Sequence, residues 1–471
     1  MSFASPAFLW LFLPTVLAVY WAFPRSSRNA VLAAASLVFY AYGAHSQIWI
    51  LLAAMVVSYS AGRVLGEAAL SERGRSAVLA AAVVVNVGLL AYWKYSGFLH
   101  QQIVDAASLF GGRGHTVAAV ALPIGISFFT FHHLSYLIDV RRGERAPLSR
   151  PVDFITYIAM FPQLVAGPIV RFHEIADQLP EWRQDRLGDL AAGFPRFALG
   201  LAKKVAVADS LGPVANAVFN SKDDLTSASA WLGVACYTLQ IYFDFSGYSD
   251  MAIGLGRMFG FRLPENFARP YSATSITDFW RRWHMSLSRW FRDYLYIPLG
   301  GNRGGAAKTY RNLVIVFALT GLWHGAAWTF LLWGLYHGGL LILERRNRGL
   351  LERDSVWSRP RTMLLVMIGW VLFRSSSAGQ ALSILFAMFV PHGFSLGPSA
   401  ALALTSERTL ILVLASCVVL LPRSFVLGPF LDAGRGALAG VSRLAFATAG
   451  AFTAAVLVAA GTFSPFLYYQ F

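Results

Sequence analysis

Charged residues are scarce in this sequence. Only 13% of the 471 residues are charged and 56% are hydrophobic, with a mean hydropathy of +0.53. Apolar runs of roughly 17–25 residues recur along the chain, the length that a helix needs to cross a ~30 Å hydrocarbon core. The runs are continuous rather than alternating, which favours helices over transmembrane strands. The composition therefore excludes a soluble globular protein and predicts an all-α polytopic membrane protein that has the lipid bilayer as its main partner.

Cysteine is nearly missing, and the N-terminus has no basic residue. Cys236 and Cys417 both lie in apolar runs without any metal-ligand spacing, so we expect buried apolar side chains and no metal site. Arg25 is the first basic residue and follows the first apolar run, which favours a retained helix over a cleaved signal peptide. The net charge of +15 is dispersed over short loops rather than gathered in one patch. We therefore expect no nucleic-acid partner.

Successive loops alternate in positive charge. Arg25 and Arg28 follow the first apolar run, whereas residues 43–47 after the second contain no arginine or lysine, and the loop around 100–115 contains only one. Cytoplasmic loops are enriched in these residues, so both termini are predicted to be extracytoplasmic. The last cytoplasmic loop is expected around three late arginines, Arg423, Arg435 and Arg443.

Two segments have basic residues on both sides. Residues 153–170 are interrupted by two prolines and a glycine and are predicted to be re-entrant, because irregular backbone at membrane depth needs protein or a water-filled cavity around it. Residues 312–342 are short for two full spans, so we expect a helix pair that is broken near Gly321–Gly325 and penetrates partway. His324 would then lie at the break, deep in the membrane.

Two histidines, His284 and His324, occupy strongly apolar surroundings. An ionisable side chain at membrane depth is costly and is by default a candidate functional residue. Histidine also suits acid–base chemistry near neutral pH, and apolar surroundings favour the neutral imidazole that a base requires. The alternatives are a core histidine at His324 and a helix-positioning role at His284.

Other ionisable residues are weaker candidates. His337 would share a helix face with His324 only if the chain breaks between them. His132 and His133 are adjacent and point apart, which argues against a shared metal. Asp244 could orient a catalytic group or form a helix–helix hydrogen bond. The remaining histidines are interpreted as loop or interfacial residues: His45, His100, His115, His173 and His392.

Arginine alternates with tryptophan and tyrosine between Asp278 and Arg303. This pattern is typical of an interfacial helix, with aromatic rings at headgroup depth and guanidinium groups toward water. Guanidinium groups also bind phosphate bidentately. The block is therefore either an interfacial anchor or a cytoplasmic anion site for a nucleotide-bearing acyl donor, formed by Arg281, Arg282, Arg289, Arg292 and Arg303.

Several segments resemble the membrane-bound O-acyltransferase (MBOAT) family, in particular its bacterial branch of alginate O-acetyltransferase membrane subunits. The similarity covers essentially the whole chain and is carried by Phe161–Ile169, Tyr242–Asp250, Leu263–Arg303, Gly321–Gly325 and the ending Pro465–Phe471.

The resemblance implies the MBOAT fold, in which a ring of about ten or eleven transmembrane helices with re-entrant segments surrounds a thin central tunnel. Residues 1–471 would form one transmembrane domain, with N-terminal helices in 1–140, a re-entrant and catalytic core in about 150–345, and C-terminal helices in 360–471. His324 matches the family's histidine, and His284 matches a second polar position that varies within the family.

The implied activity is acetyl transfer from cytoplasmic acetyl-CoA, with no tightly bound cofactor. The acetyl group would cross the membrane to alginate, another exopolysaccharide or a cell-wall glycan, through an extracytoplasmic SGNH or esterase-like acetyltransferase partner. His324 would act as the base, and His284 would donate a hydrogen bond to the oxyanion or orient the donor carbonyl. No nucleophilic cysteine or GxSxG elbow requires an acyl-enzyme.

Two alternatives remain open at the level of sequence. One is transfer of a different acyl group to a lipid, protein or teichoic-acid-type acceptor within the same family. The other is a transporter, in which intramembrane ionisable residues would mark a substrate path, although the repeated halves usual in transporters are not seen.

Overall fold

The computed structural model describes residues 2–109, 121–180, 186–221, 225–347 and 355–421, together with 441, 445, 448–450, 452 and 466. Within these ranges the regular secondary structure is helical and contains no β-strand, which confirms the all-α prediction. The predicted last cytoplasmic loop and His115 lie outside the described residues, as does most of the C-terminal segment from residue 465 onward.

Nineteen α-helices have both ends within the described ranges. In chain order they are α1 (Leu13–Ala22), α2 (Arg28–Ala44), α3 (Ile48–Leu65), α4 (Glu72–Leu109), α5 (Ile126–Arg142), α6 (Pro151–Ala159), α7 (Phe161–Leu164), α8 (Phe172–Ile175), α9 (Arg186–Ala202), α10 (Asp209–Phe219), α11 (Ser227–Met258), α12 (Ile276–Trp280), α13 (Met285–Phe291), α14 (Ala306–His324), α15 (Trp328–Arg346), α16 (Ser358–Arg374), α17 (Ala378–Phe389), α18 (Pro398–Ala403) and α19 (Ser406–Leu420). Short π-helical segments occur at Ala7–Phe12, Lys203–Ala208 and Arg292–Tyr296, and 3₁₀ turns at Arg25–Ser27, His45–Gln47, Ala176–Gln178 and Pro270–Ser272.

Two helical stretches of the described chain are long and apolar enough to cross a bilayer by length and composition alone. They are Arg25–Leu65, which contains α2 and α3, and α4; Ala7–Ala22 and α17 are shorter apolar helices. With 38 residues, α4 is ~57 Å long and continues to Leu109, so the loop expected from about residue 100 begins later. The ring of ten or eleven spans stays a prediction.

Backbone contacts divide the chain into two helical units. The first contains Met1, Ala7–Gly193 and Leu255–Pro264, and the second contains Ser2–Pro6, Phe194–Gly254 and Glu265–Phe471. The single-domain organisation with an N-terminal, a core and a C-terminal part stays a prediction.

In the first unit, the backbone between α6 and α8 is irregular and enclosed by protein. Met160, Phe161 and Ile169 are fully buried there. The Phe161 N–H donates to Ser36 Oγ at 3.1 Å, so a side chain supplies a partner that the broken helix cannot. The irregular backbone predicted within residues 153–170 is confirmed, whereas its re-entry into a membrane stays a prediction.

In the second unit, α14 and α15 form a tightly packed hairpin. Its break at residues 325–327 confirms the position expected near Gly321–Gly325. A Cβ on Gly321 would lie 2.2 Å from the Phe330 carbonyl oxygen, so only glycine permits this approach of the two helices. Each helix has 19 residues and is ~28 Å long. The helices extend beyond the apolar segment because the basic residues that flank it are also helical. The pair is therefore longer than residues 312–342 suggested.

Asp244 on α11 belongs to a buried group of charges in the same unit. Its Oδ1 lies 2.8 Å from Lys204 Nζ, and Lys204 also pairs with Asp209 at 2.5 Å. All three side chains are at most 3% exposed, and buried charges persist only where they are paired. The geometry therefore favours the helix–helix alternative for Asp244 over an orienting role in catalysis.

The two cysteines have different environments. Cys236 is buried as expected, but Cys417 is exposed, so the prediction of burial was wrong for the second. Neighbouring apolar residues of α19, Leu414 and Val418, are exposed as well. Lipid is as apolar as a protein interior, and an apolar run in a membrane protein therefore does not tell which face of the helix is buried.

Candidate active site

His284 and His324 are brought together in the second unit, where both contact the ring of Trp323. Their ring centroids lie 6.1 Å and 4.8 Å from that of Trp323. His284 is fully buried and His324 is 4% exposed. The two histidines selected from sequence therefore share one buried neighbourhood, although neither catalytic role is tested by this proximity.

His324 is the last residue of α14, where the chain leaves the helix. Gly325 follows with an extended backbone (φ −167°, ψ 156°), and a Cβ there would lie 2.1 Å from the Phe330 ring. The His324 ring packs edge-on against Trp333 at 4.9 Å. His324 is thus held at the break in the hairpin by aromatic surfaces.

His337 lies on the same side of the hairpin as His324. Trp333 contacts both rings, at 4.9 Å for His324 and 5.2 Å for His337. The condition stated from sequence, a break between the two histidines, is met by residues 325–327. His337 is fully buried, and its other ring contacts are to Phe279, Trp280 and Tyr336; it is a core residue of the aromatic cluster.

His284 occupies a strained backbone position just before α13. Its φ of 44° and ψ of 54° are left-handed, a conformation that costs a non-glycine residue roughly 1–2 kcal/mol. Two backbone hydrogen bonds join residues 266–268 to the segment around His284. The Met285 N–H donates to the Asn266 carbonyl and the Ala268 N–H donates to the Arg282 carbonyl, both at 2.9 Å. Strain of this kind concentrates at functional sites.

A cavity of about 700 Å³ lies among α12, α13, α14 and α15. Val316, Phe317 and Thr320 of α14 form part of its wall. Thr320 precedes His324 by four residues, so the two side chains lie on one helix face, a single turn apart. The cavity therefore ends one turn before the histidine at the hairpin break.

Four arginines line this cavity, and they differ in how they are held. Arg281 is exposed, and its side chain has neither a hydrogen bond nor an ion pair to any described residue. Arg292 forms a bidentate pair with Asp293, at 2.6 and 3.0 Å. Arg289 Nη2 donates to a backbone carbonyl at 3.3 Å, and Arg345 Nη2 donates to Asn302 Oδ1 at 2.7 Å.

Two of the five arginines predicted to form an anion site do not line the cavity. Arg282 donates from Nε to Asp278 Oδ1 at 2.8 Å and from Nη1 to the Ala268 carbonyl at 3.2 Å, so it braces its own segment. Arg303 is exposed in the turn before α14. Arg345 was missed in the sequence analysis because a basic residue after an apolar segment is already explained by the positive-inside rule. It reaches the cavity only because α15 returns beside α14.

The cavity wall is tied together by a carboxylate at a helix N-terminus. Glu344 of α15 accepts hydrogen bonds from the backbone N–H groups of Ile276 and Thr277, at 2.5 and 2.9 Å, and from the Thr277 hydroxyl at 2.8 Å. A carboxylate is favoured there because the first N–H groups of a helix have no intrahelical partner. This contact fixes α12 against α15 and sets the position of Arg281 at the end of α12.

In the first unit, His173 differs from its interpretation as a loop or interfacial residue. It is half-buried on α8, with Nδ1 at 3.0 Å from Asp139 Oδ2 and 3.3 Å from Glu144 Oε2. These three residues form the group of potential metal ligands found among the described residues. The hydrogen bond to Asp139 raises the pKa of His173, which favours a proton on Nδ1, so an imidazolium–carboxylate pair accounts for the cluster.

Comparison with known proteins identifies the family. The family model of the membrane-bound O-acyltransferases matches residues 37–378. A probable alginate O-acetylase of Azotobacter vinelandii is 42% identical over 100% of both chains, and the peptidoglycan O-acetyltransferase of Helicobacter pylori is 35% identical over 84% of this chain and 81% of the relative. The teichoic acid D-alanyltransferase of Bacillus subtilis is 32% identical over 46% and 58%, respectively. The chain therefore belongs to the membrane-bound O-acyltransferase family and is an integral membrane O-acyltransferase.

Proposed function

We propose that this protein takes an acetyl group from acetyl-CoA on the cytoplasmic side of the bacterial inner membrane and passes it outward for O-acetylation of a polysaccharide. The observation that carries the proposal is the arginine-lined cavity that ends one helical turn before His324. The excess of arginine around it supports a cytoplasmic mouth by the positive-inside rule, and both termini are proposed to lie outside.

The cavity has the charge distribution that an acyl-CoA requires. Arg345 lies near the end of α15, beside the start of α14, whereas Thr320 lies near the hairpin break. Guanidinium groups bind phosphates, and the wall along Leu313, Val316 and Phe317 is apolar. The volume of about 700 Å³ is within the range of ~300–1,000 Å³ usual for small-molecule sites. A donor bound by its phosphates would direct its thioester arm toward His324.

The chemistry needs one base and no covalent enzyme intermediate. The acceptor hydroxyl oxygen attacks the thioester carbon, the hydroxyl proton passes to a neutral histidine, and the C–S bond breaks to release the coenzyme thiolate, which takes up a proton. His324 is assigned as that base, a role worth roughly 10²–10⁴-fold in rate. Its ring packs against Trp323 and Trp333, and these contacts hold it at the end of α14.

The acceptor is proposed to be alginate or a related extracytoplasmic glycan. Two relatives similar over most of the chain are named for O-acetylation of alginate and of peptidoglycan. The described residues contain no strand, so a sheet-based transferase domain of the SGNH or esterase-like type would come from a separate chain. Such a partner would deliver the acetyl group to the polymer.

The proposal is tested with the purified protein in lipid nanodiscs, where both membrane faces are accessible. When an alginate oligosaccharide is supplied as the hydroxyl acceptor, acetyl-CoA labelled in the acetyl group should be consumed, with coenzyme A released, and His324→Ala should stop this. A parallel series of longer acyl-CoA donors measures acyl preference. Consumption that is unaffected by His324→Ala, or turnover of only the longer donors, contradicts the proposal.

The acceptor is tested in cells that lack the native protein. Wild-type protein should restore O-acetyl groups on the secreted polymer, quantified by proton NMR of the purified polysaccharide. If His324→Ala is present in the membrane at normal levels and still restores acetylation, the assignment of His324 as the base is contradicted.

A further inference from the structure

One buried amide contacts His284 and anchors the turn on which it sits. Asn266 is fully buried, and its Oδ1 lies 3.1 Å from His284 Nδ1. The same oxygen accepts from the Ser286 backbone N–H at 3.2 Å and from the Ser286 hydroxyl at 2.9 Å. On its other side, Asn266 Nδ2 donates to Ser249 Oγ at 3.0 Å.

These contacts determine which nitrogen of His284 carries the proton. A backbone N–H can only donate, so the atom that Ser286 N–H reaches must be the amide oxygen and not the amide nitrogen of Asn266. An amide oxygen can only accept, and His284 Nδ1 therefore donates to it. A neutral imidazole protonated on Nδ1 has its lone pair on Nε2. That atom is buried and has no hydrogen-bond partner among the described residues.

We infer that Asn266 is a positioning residue that holds His284 in its Nδ1–H form, so that His284 Nε2 is a proton acceptor at the transfer site. This assignment rests on the proposed function and deepens it. It also replaces the role expected from sequence, because a neutral ring of this form has no hydrogen on Nε2 to donate to an oxyanion. His324 stays the base for the attacking hydroxyl, and His284 is a second acceptor, for the proton that His324 has taken up; it becomes a donor only afterwards.

The proton balance follows from the same contacts. When Nε2 takes up the proton, Nδ1–H stays bonded to Asn266 Oδ1 and the ring carries one positive charge. A carbonyl-type oxygen stabilises that charge as it forms, much as a carboxylate or carbonyl on the far nitrogen orients other catalytic histidines. Release of the proton from Nε2 to the departing thiolate restores the starting form.

Asn266 also fixes the main chain beneath the ring. Its carbonyl accepts the Met285 N–H at 2.9 Å, directly after the left-handed His284. The ring packs edge-on against Phe245 at 4.7 Å. Backbone, ring nitrogen and ring face are therefore all held, and the direction of Nε2 is set before any substrate binds.

The first test measures the tautomer without substrate. The protein is labelled with ¹³C,¹⁵N-histidine in nanodiscs, and the His284 signals are assigned by difference from His284→Asn. Solid-state NMR should show a protonated Nδ1 and an unprotonated Nε2. In Asn266→Ala the Nε2–H form should appear, whereas Ser249→Ala keeps Oδ1 as acceptor and should leave the tautomer unchanged. A protonated Nε2 in the wild-type protein overturns the inference.

The second test is a double-mutant cycle on the acyl-transfer rate. If Asn266 acts through His284, Asn266→Ala lowers kcat on the order of 10-fold or more with little change in the donor KM. The double variant with His284→Ala should then be about as slow as His284→Ala alone. Additive losses would show a separate structural role and contradict the inference. A wild-type protein that does not use acetyl-CoA refutes the proposed function instead, and the NMR measurement still decides the tautomer.

Discussion

His284 and His324 both contact Trp323, with ring centroids at 6.1 Å and 4.8 Å from the indole. One residue comes from the turn before α13 and the other from the end of α14. The contact to Trp323 therefore brings two of the chain's ten histidines into one buried neighbourhood.

We expect His324→Ala to lower acyl transfer by roughly 10²–10⁴-fold, because the base that takes the hydroxyl proton is lost. Initial rates of coenzyme A release from acetyl-CoA measure the effect. His337→Gln is the matched control, since His337 is also buried and also contacts Trp333 but lies deeper in the aromatic cluster. Equal losses in the two variants would show that both act through packing.

Arg281→Gln should raise the KM for acetyl-CoA by about 2- to 5-fold and leave kcat nearly unchanged, the effect of losing one solvent-screened guanidinium–phosphate contact. Arg281 lines the cavity, and its side chain forms no hydrogen bond or ion pair with any described residue. The rise should shrink at high salt, where such contacts are screened.

Arg303→Gln removes the same charge from the same basic region but not from the cavity wall. Its KM should match that of the wild-type protein, and cysteine-accessibility labelling of both variants confirms equal insertion. An equal rise in KM for the two variants would mean that overall charge attracts the donor and that the cavity is not its site.

Local features of the site could be predicted from sequence, and long-range contacts could not. The position of the hairpin break could be predicted from the glycines around Trp323 and His324. These glycines are adjacent in sequence to the residues that end α14, so a local pattern contains the signal. Arg345 reaches Asn302 across 43 positions, and no local pattern distinguishes it from an arginine that only sets topology. Its role depends on how α15 returns beside α14.

The contact between Asn266 and His284 illustrates the same limit. The two residues lie in one segment that resembles the family, Leu263–Arg303, but their hydrogen bond depends on a left-handed backbone at His284, which non-glycine residues rarely adopt. Helix length was also underestimated. Polar residues near position 100 suggested a loop, yet α4 continues through them to Leu109, because polar side chains are accepted on a helix once it leaves the apolar core of the bilayer.

Replacing His284 should separate the chemistry of its ring from the strain of its backbone. Both His284→Ala and His284→Gly lose the imidazole, so both should lower acyl transfer by on the order of 10²-fold. His284→Gly should be the more stable of the two, since glycine adopts φ of 44° without steric cost. Thermal unfolding in detergent and initial rates are measured in parallel. If either variant is as active as the wild-type protein, His284 has no role in catalysis.

The His173–Asp139 pair predicts a stability that depends on pH. The hydrogen bond to Asp139 raises the pKa of His173, and the nearby Glu174 charge also raises it, while desolvation and Arg171 lower it. A raised pKa means that folding favours the protonated ring, so the contribution is fully present below the unfolded pKa of about 6.5. It is lost as pH rises through the folded value.

His173→Gln provides the comparison, because it keeps a polar side chain but does not titrate. The wild-type protein should have the higher unfolding temperature at acidic pH, and the difference should shrink as pH increases above about 6.5. A difference that is constant with pH, or that grows toward alkaline pH, would contradict an imidazolium–carboxylate pair.

Two glycines of α15 should respond oppositely to a single methyl group. A Cβ on Gly334 would lie 2.2 Å from the Phe317 carbonyl oxygen, whereas one on Gly339 meets nothing within 4 Å. Gly334→Ala must push α15 away from α14 and should destabilise the protein by roughly 1–3 kcal/mol, the usual effect of overpacking. Gly339→Ala adds the same methyl group on the same helix and should be neutral or stabilise by up to about 1 kcal/mol through helix propensity. Thermal unfolding of the purified variants measures both. Because the hairpin also holds His324, Gly334→Ala should lower acyl transfer even at temperatures where the protein stays folded, and normal activity with normal stability would show that the hairpin tolerates a wider spacing than its glycines imply.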